Sequence, residues 1–173
     1  MKTHTYSLFA KLVYGYANIP LTLLIGFYLI FSAAMIGQHL FYLFSTLFHA
    51  LLLYVLNRFY IKSYKQFPYT IMIDNEKMIC KDFFMSNKEI IINLSDIDEV
   101  KGGIFSGNLA RPVYLHDGKN DVTIGIRQHL KGFNSVLTTV LSNIPQKLYN
   151  ELLEKIKEYG DKTIELREKR RRK

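Results

Sequence analysis

Between Leu12 and Asn57 the chain runs for 46 residues without an Asp, Glu, Lys or Arg. Nearly every position is apolar, aromatic or small. A bilayer core about 30 Å thick takes about 20 helical residues to cross. The run is therefore long enough for two crossings and a tight turn, and too long for one. Inside hydrocarbon each backbone donor and acceptor must be paired within the protein, which selects helices. The pattern predicts a transmembrane hairpin with helices over about 19–37 and 40–60. Asn18-Ile19-Pro20 reads as the start of the first, because Asn caps helices and Pro is tolerated in the first turn. Gly37-Gln38-His39 reads as the turn.

After Arg58 the texture changes to short runs rich in Ile, Val, Tyr and Phe, broken by turn residues. Tyr69–Ile73 and Lys77–Lys81 flank Asp74-Asn75-Glu76 and read as a hairpin of strands. Strands are also expected over Lys88–Asn93 and over Ile97–Lys101, the latter ended by Gly102-Gly103. Pro112–His116 and Val122–Ile126 flank a Gly-containing turn. Phe133–Asn143 then has helical spacing, with Val136, Leu137, Val140 and Leu141 on one face. Pro145 breaks it, and Gln146–Tyr159 resumes as an amphipathic helix. Gly160 is expected to interrupt that helix, leaving Lys162–Lys173 as a charged helix or a disordered tail. Strands followed by segregated helices make an α+β design. The expected divisions are 1–65 for the lead and hairpin, 66–144 for a strand-rich domain, and 145–173 for a closing helix and tail.

Charge sharpens this picture by its location. The formal charge is +8. From Arg58 to Asp161 there are 14 basic and 13 acidic residues, whereas Lys162 to Lys173 hold 7 basic and 2 acidic. The basicity is a local tail and not a domain face. Lys2 and Lys11 precede the hairpin, Arg58, Lys62 and Lys65 follow it, and the turn has no Lys or Arg. Positive flanks stay on the cytoplasmic side, so both termini are expected there, with Tyr14, Tyr16, Phe59 and Tyr60 near that interface. A cleaved signal peptide ending near Ser32-Ala33-Ala34 is the competing reading of the lead. A second hydrophobic run follows at once, which favours an uncleaved helix.

The order of elements resembles the bacterial pleckstrin-homology-like (bPH/YcxB-like) membrane proteins. The residues that carry the resemblance are Tyr69-Thr70-Ile71-x-Ile73-Asp74, Ile79-x-x-Asp82, Leu94-Ser95-Asp96-Ile97-x-x-Val100, Gly107 and the late hairpin Val113–Ile126. The match covers about residues 20 to 144, and the segment after Pro145 lies outside it. The resemblance implies a transmembrane hairpin leading into a PH-like antiparallel β-barrel or sandwich closed by a C-terminal helix. It also implies an adaptor or scaffold role in the bacterial inner membrane, in some members as rings. Relatives that grip phosphoinositides use basic residues around the first strand pair. Here that turn is Asp74-Asn75-Glu76-Lys77, so no inositol-phosphate site is carried over.

No catalytic constellation stands out. The single Cys80 cannot form an intramolecular disulfide. His116 and His129 lack the close ligand pairs of a zinc site. Asp96, Asp98 and Glu99 read as a solvated strand edge. Gly103-Ile104-Phe105-Ser106-Gly107 has its Ser misplaced for a nucleophile elbow, and with no following Lys-Ser/Thr it is no phosphate loop. No cofactor or metal is expected. His49, inside the second helix, is a functional candidate by location, against a neutral imidazole bonded to Ser45 or Ser32. Gly26, Ser32, Ala33 and Ala34 are small enough for close helix approach. Arg167, Lys169, Arg170, Arg171, Arg172 and Lys173 are the candidate contact for anionic lipid head groups, ahead of nucleic acid. The alternative is a solvated end with Glu165–Lys169 and Glu168–Arg172 helical pairs. The expected function is a membrane-anchored, non-catalytic binding or scaffold protein, partnered by the bilayer and by further copies of itself or another membrane protein. An accessory subunit of a transporter or secretion complex, binding through the membrane helices, and a lipid or ligand sensor are the alternatives.

Overall fold

The computed structural model describes residues 1–108 and 110–171, with 161–171 described by backbone alone. The architecture is α+β, with two antiparallel sheets and two long apolar helical stretches near the N-terminus. The chain divides into two compact units, Leu8–Lys65 and a second made of Met1–Ser7 with Gln66–Lys173. The short lead thus belongs to the strand-rich unit and not to the hairpin. Periodicity did not reveal this, because a four-residue strand of Lys, Thr and His has no apolar alternation.

In the helical unit, α1 (Leu8–Tyr16) and α2 (Asn18–Ala34) form one apolar stretch of 27 residues, and α3 (Leu40–Gln66) forms a second of equal length. At 1.5 Å per residue each is about 40 Å long, more than a hydrocarbon core. The break at Ala17 has a cause in Pro20, which cannot donate a hydrogen bond to the Tyr16 carbonyl. The expected cap at Asn18 does not form. Ala17 precedes α2 in a helical conformation with no side-chain cap, and the Asn18 amide faces α3 instead. The first stretch ends at Ala34, short of residue 37, and α3 runs past residue 60 to Gln66. His39 opens α3, where its Nδ1 accepts the Phe41 N–H at 3.1 Å. This meets one of the unpaired donors of a helix start.

In the strand-rich unit, β1 (Lys2–Thr5) pairs antiparallel with β2 (Pro68–Ile73). β3 (Lys77–Phe83) and β4 (Ile90–Asn93) complete a four-stranded sheet in the order β1-β2-β3-β4. Register explains its core face. Ile71 lies opposite Cys80, Ile73 opposite Met78, Met78 opposite Ile92 and Cys80 opposite Ile90, and all are buried. β5 (Ile97–Gly102), β6 (Val113–Asp117) and β7 (Val122–Ile126) form the second sheet. A register shift between Ile97 and Glu99 lets Ile97 and Val100, three apart, both point inward. The sheets do not close into a barrel, as the sequence had allowed. Each keeps its own edges.

α4 (Phe133–Asn143) buries Val136 and Val140, and α5 (Gln146–Arg171) buries Leu148 and Leu152. α5 continues through Gly160, where an interruption was expected. Beside it, Gly107 sits at φ +67 with the Tyr159 ring against its α-carbon.

Both chain connections to the hairpin are fastened within the strand-rich unit. Tyr6, just after β1, is buried, and its hydroxyl accepts the Arg127 N–H at 2.8 Å. The neighbouring Thr5 carbonyl accepts the Lys131 N–H at 3.1 Å. Phe67, just before β2, lies over Gly125, where an added Cβ would come within 2.4 Å of its ring. The Arg127 guanidinium covers the same ring at 4.2 Å. Arg127 therefore touches the strand-rich unit's last residue but one before the hairpin and its second residue after it.

Cys80 lies at the centre of the first sheet, and burial pushes its thiol from the ordinary 9.0 up to about 12. The unfolded thiol ionises near 9, so this group's contribution to stability is whole below that pH and drains away between 9 and 12. At pH 8 the folded chain in mild detergent should resist iodoacetamide, with roughly a thousand-fold less thiolate than an unfolded chain. Guanidinium should restore labelling, and fast labelling without it would contradict this placement of the first sheet.

Candidate functional site

Polar side chains in the helical unit form a ladder between α2 and α3. Asn18 donates to Asn57 at 3.1 Å and accepts from Thr22 at 3.1 Å. Near the turn Thr46 bonds the buried Ser32 at 3.0 Å and the Tyr42 carbonyl at 2.8 Å. At the open end, the Tyr64 hydroxyl donates to the Gly15 carbonyl at 2.8 Å. The partners step up one stretch as they step down the other, as an antiparallel pair requires. Each such bond in an apolar setting is worth about 0.6 kcal/mol on average and up to about 2.

His49 sits within this ladder. Its Nδ1 donates to the Ser45 carbonyl at 2.7 Å, with the Ser45 hydroxyl at 3.4 Å, and its ring stacks on Tyr28. This is the bonded-imidazole arrangement, with Ser45 and not Ser32 as partner. Of the small residues singled out in the sequence, Ser32 is the one buried. Gly26 has open space around it.

In the strand-rich unit the sequence missed one grouping. His116 on β6 lies 3.1 Å by Nδ1 from the Thr123 hydroxyl on β7, and 4.0 Å by Nε2 from the Asp98 carboxylate on β5. Hydroxyl, imidazole and carboxylate are the residue types of a hydrolytic triad. The 4.0 Å gap exceeds a hydrogen bond, and the Asp98 side chain is 57% exposed, too free to orient the ring. The register shift beside Asp98 brings it close, and strand spacing alone could not foretell that. The neighbouring acids are paired at the surface, Asp96 with Asn93 at 2.8 Å and Lys119 at 3.7 Å, and Glu99 with Lys101 at 2.6 Å. The solvated-edge reading fits Glu99, whereas Asp96 sits in a 3-10 turn with its side chain 22% exposed. Ser106 donates to the Gly103 carbonyl at 3.2 Å in a 3-10 turn. Among the described residues no cluster of three metal-ligand side chains occurs.

Two concavities bear on binding. One, of about 570 Å³, lies between the Gly103-Ile104 turn and the start of α4. Its floor is Ile104, Val113, Leu130, Phe133 and Leu137, its rim holds Gln128 and Asn134, and no titratable side chain lines it. It has groups to bind an apolar partner and none to transfer a proton. The other, of about 680 Å³, is an open hollow along the last turns of α3, lined by Tyr54, Arg58, Ile61, Lys62 and Lys65 among others.

Of the candidate lipid-contact residues, Arg167, Lys169, Arg170 and Arg171 fall on the backbone of α5. Their side chains, and all of Arg172 and Lys173, lie outside the described residues. The first strand turn is acidic as expected. The Lys77 and then the Glu76 backbone N–H groups bond the Asp74 carboxylate and hold its pKa below the ordinary carboxylate value. No protein-family model, curated protein or solved structure matches the chain.

Replacing Asn57 by Leu leaves the Asn18 amide without its partner across the hairpin. The substitution should cost about 1 kcal/mol, read as a lower denaturant midpoint in detergent. Asn18→Leu/Asn57→Leu together should recover part of the loss, because neither amide of the pair is then left facing an apolar residue. Additive losses would show that the pair does not couple.

Proposed function

We propose that this is a bacterial inner-membrane protein in which the helical unit crosses the bilayer twice and displays a PH-like, non-catalytic binding module in the cytoplasm. The observation that carries the reading is the outer surface of the two stretches. Phe27 and Ile30 are 66% and 72% exposed, and Phe41 and Leu47 are 66% and 61% exposed. A water-soluble surface does not leave so large a continuous apolar area uncovered. Hydrocarbon covers it at no cost.

The pairing of β1 with β2 bears on topology. The strands either side of the hairpin are neighbours in one sheet, so the chain enters and leaves the helical unit from the same side of a bilayer. That pairing supports an even number of crossings. Lys2, Lys11, Arg58, Lys62 and Lys65 favour the cytoplasm for that side. Cleavage after Ala34 would remove β1 from its sheet, which counts against a signal peptide.

The PH-like assignment draws support from the four-stranded and three-stranded antiparallel sheets followed by α4, the order that the resemblance implies. The binding role draws support from the apolar groove beside α4, which has no acid or base in its lining. Self-association through the module, on the scaffold reading, would show as crosslinks in cells that map to residues 69–144.

Topology is tested with single cysteines, because buried Cys80 stays silent. Gly37→Cys should react with a membrane-impermeant maleimide in spheroplasts. Asn120→Cys, in the β6–β7 turn, should react only after permeabilisation. The reverse pattern would overturn the orientation, and equal reactivity of both would overturn the two crossings.

A further inference from the structure

We propose that the last turns of α3 bind one anionic phospholipid, with its phosphate among Arg58, Lys62 and Lys65 and an acyl chain along Leu53 and Ile61. The proposal rests on the membrane reading above and adds a lipid site that is separate from the basic tail.

Helical geometry puts the three cations on one stripe. At 3.6 residues per turn, positions 58, 62 and 65 fall within an arc of about 60°. They span about 10 Å of axis, enough to cover one polar head-group layer about 5–8 Å deep. All three side chains are exposed, and the helix that holds them has no Asp or Glu. Among the described residues none of the three forms an ion pair. Arg58 is already positioned, because its guanidinium donates to the Tyr54 hydroxyl one turn earlier at 3.0 Å. Its other donors take no partner among the described residues.

The stripe does more than satisfy an orientation rule. That rule counts basic residues near a helix end and is indifferent to the face they occupy. Here they share one face, and the same hollow is lined by apolar Leu53 and Ile61. Charge therefore meets the phosphate, while Leu53, further toward the middle of the helix, meets the chain. The long stems of Lys62 and Lys65 lie along apolar surface while their ammonium groups reach the head-group layer. A zwitterionic lipid brings its own cation to the site, so an anionic one is preferred.

The test uses the full chain reconstituted in phosphatidylcholine vesicles with spin-labelled phosphatidylglycerol or spin-labelled phosphatidylcholine. The fraction of motionally restricted label reports lipid held at the protein. Phosphatidylglycerol should be favoured several-fold. Arg58→Gln/Lys62→Gln/Lys65→Gln should bring the ratio close to one. A charge-matched control, Lys169→Gln/Arg170→Gln/Arg171→Gln, should keep most of the preference. No preference in the wild-type chain, or equal loss in both triple variants, would overturn the site. Inorganic phosphate at constant ionic strength should leave the ratio unchanged, and a collapse would mark a soluble phosphate as the ligand instead. Flotation separates the two levels of failure. A chain that does not float with the vesicles overturns the membrane reading itself, whereas one that floats without lipid preference overturns only this site.

Discussion

The pairing of β1 with β2 is the constraint on which the rest depends. These strands are adjacent in space and separated in sequence by the whole helical unit. Closing so long an excursion would cost several kcal/mol of chain entropy if the segment were a flexible loop. It is not flexible. The two helical stretches run antiparallel, and Tyr64 bonds Gly15 near their open end. On the sheet side, Arg127 holds both connections, taking the Tyr6 hydroxyl on its N–H and the Phe67 ring under its guanidinium. Gly125 is part of the same device, because any larger residue would displace Phe67.

The helical unit follows a different logic. Its large apolar side chains point outward, and the few polar ones point between the stretches. Asn18, Asn57, Ser32, Thr46 and His49 are bonded to one another or to carbonyls of their own helix. Between two helices in lipid there is little hydrophobic driving force, because the tails are as apolar as the side chains. Packing and these hydrogen bonds are left to set the pairing. That accounts for polar residues in a stretch that otherwise excludes them, with no need for a proton pathway through His49.

Much of this was legible in the residues. The uncharged run announced two long helices, and alternation placed β2, β3, β6 and β7 to within a residue or two at each end. The helix over Phe133–Asn143 was read to the residue. What escaped has physical reasons. β1 is four polar residues long, and its strand character comes wholly from its partner. The near approach of Asp98 to His116 comes from a register shift. Gly160 stays helical because the price of one glycine is about 1 kcal/mol against Ala, less than a long helix can absorb. Asn18 is a good capping residue, but an apolar setting made the Asn57 amide the better partner. The groove beside α4 draws on three separated segments, and no local pattern announces it.

The hairpin interrupts a single sheet, with β1 and β2 paired to each other on either side of it in the chain. Thr3 lies opposite Met72, so Thr3→Cys/Met72→Cys tests it directly. A protease site added at Gly37 would cut the chain between the stretches. After oxidation in native membranes and cutting, the two fragments should migrate together on a denaturing gel and separate on reduction. Fragments that separate without reduction, or a mature chain that already lacks its first helix, would contradict the account.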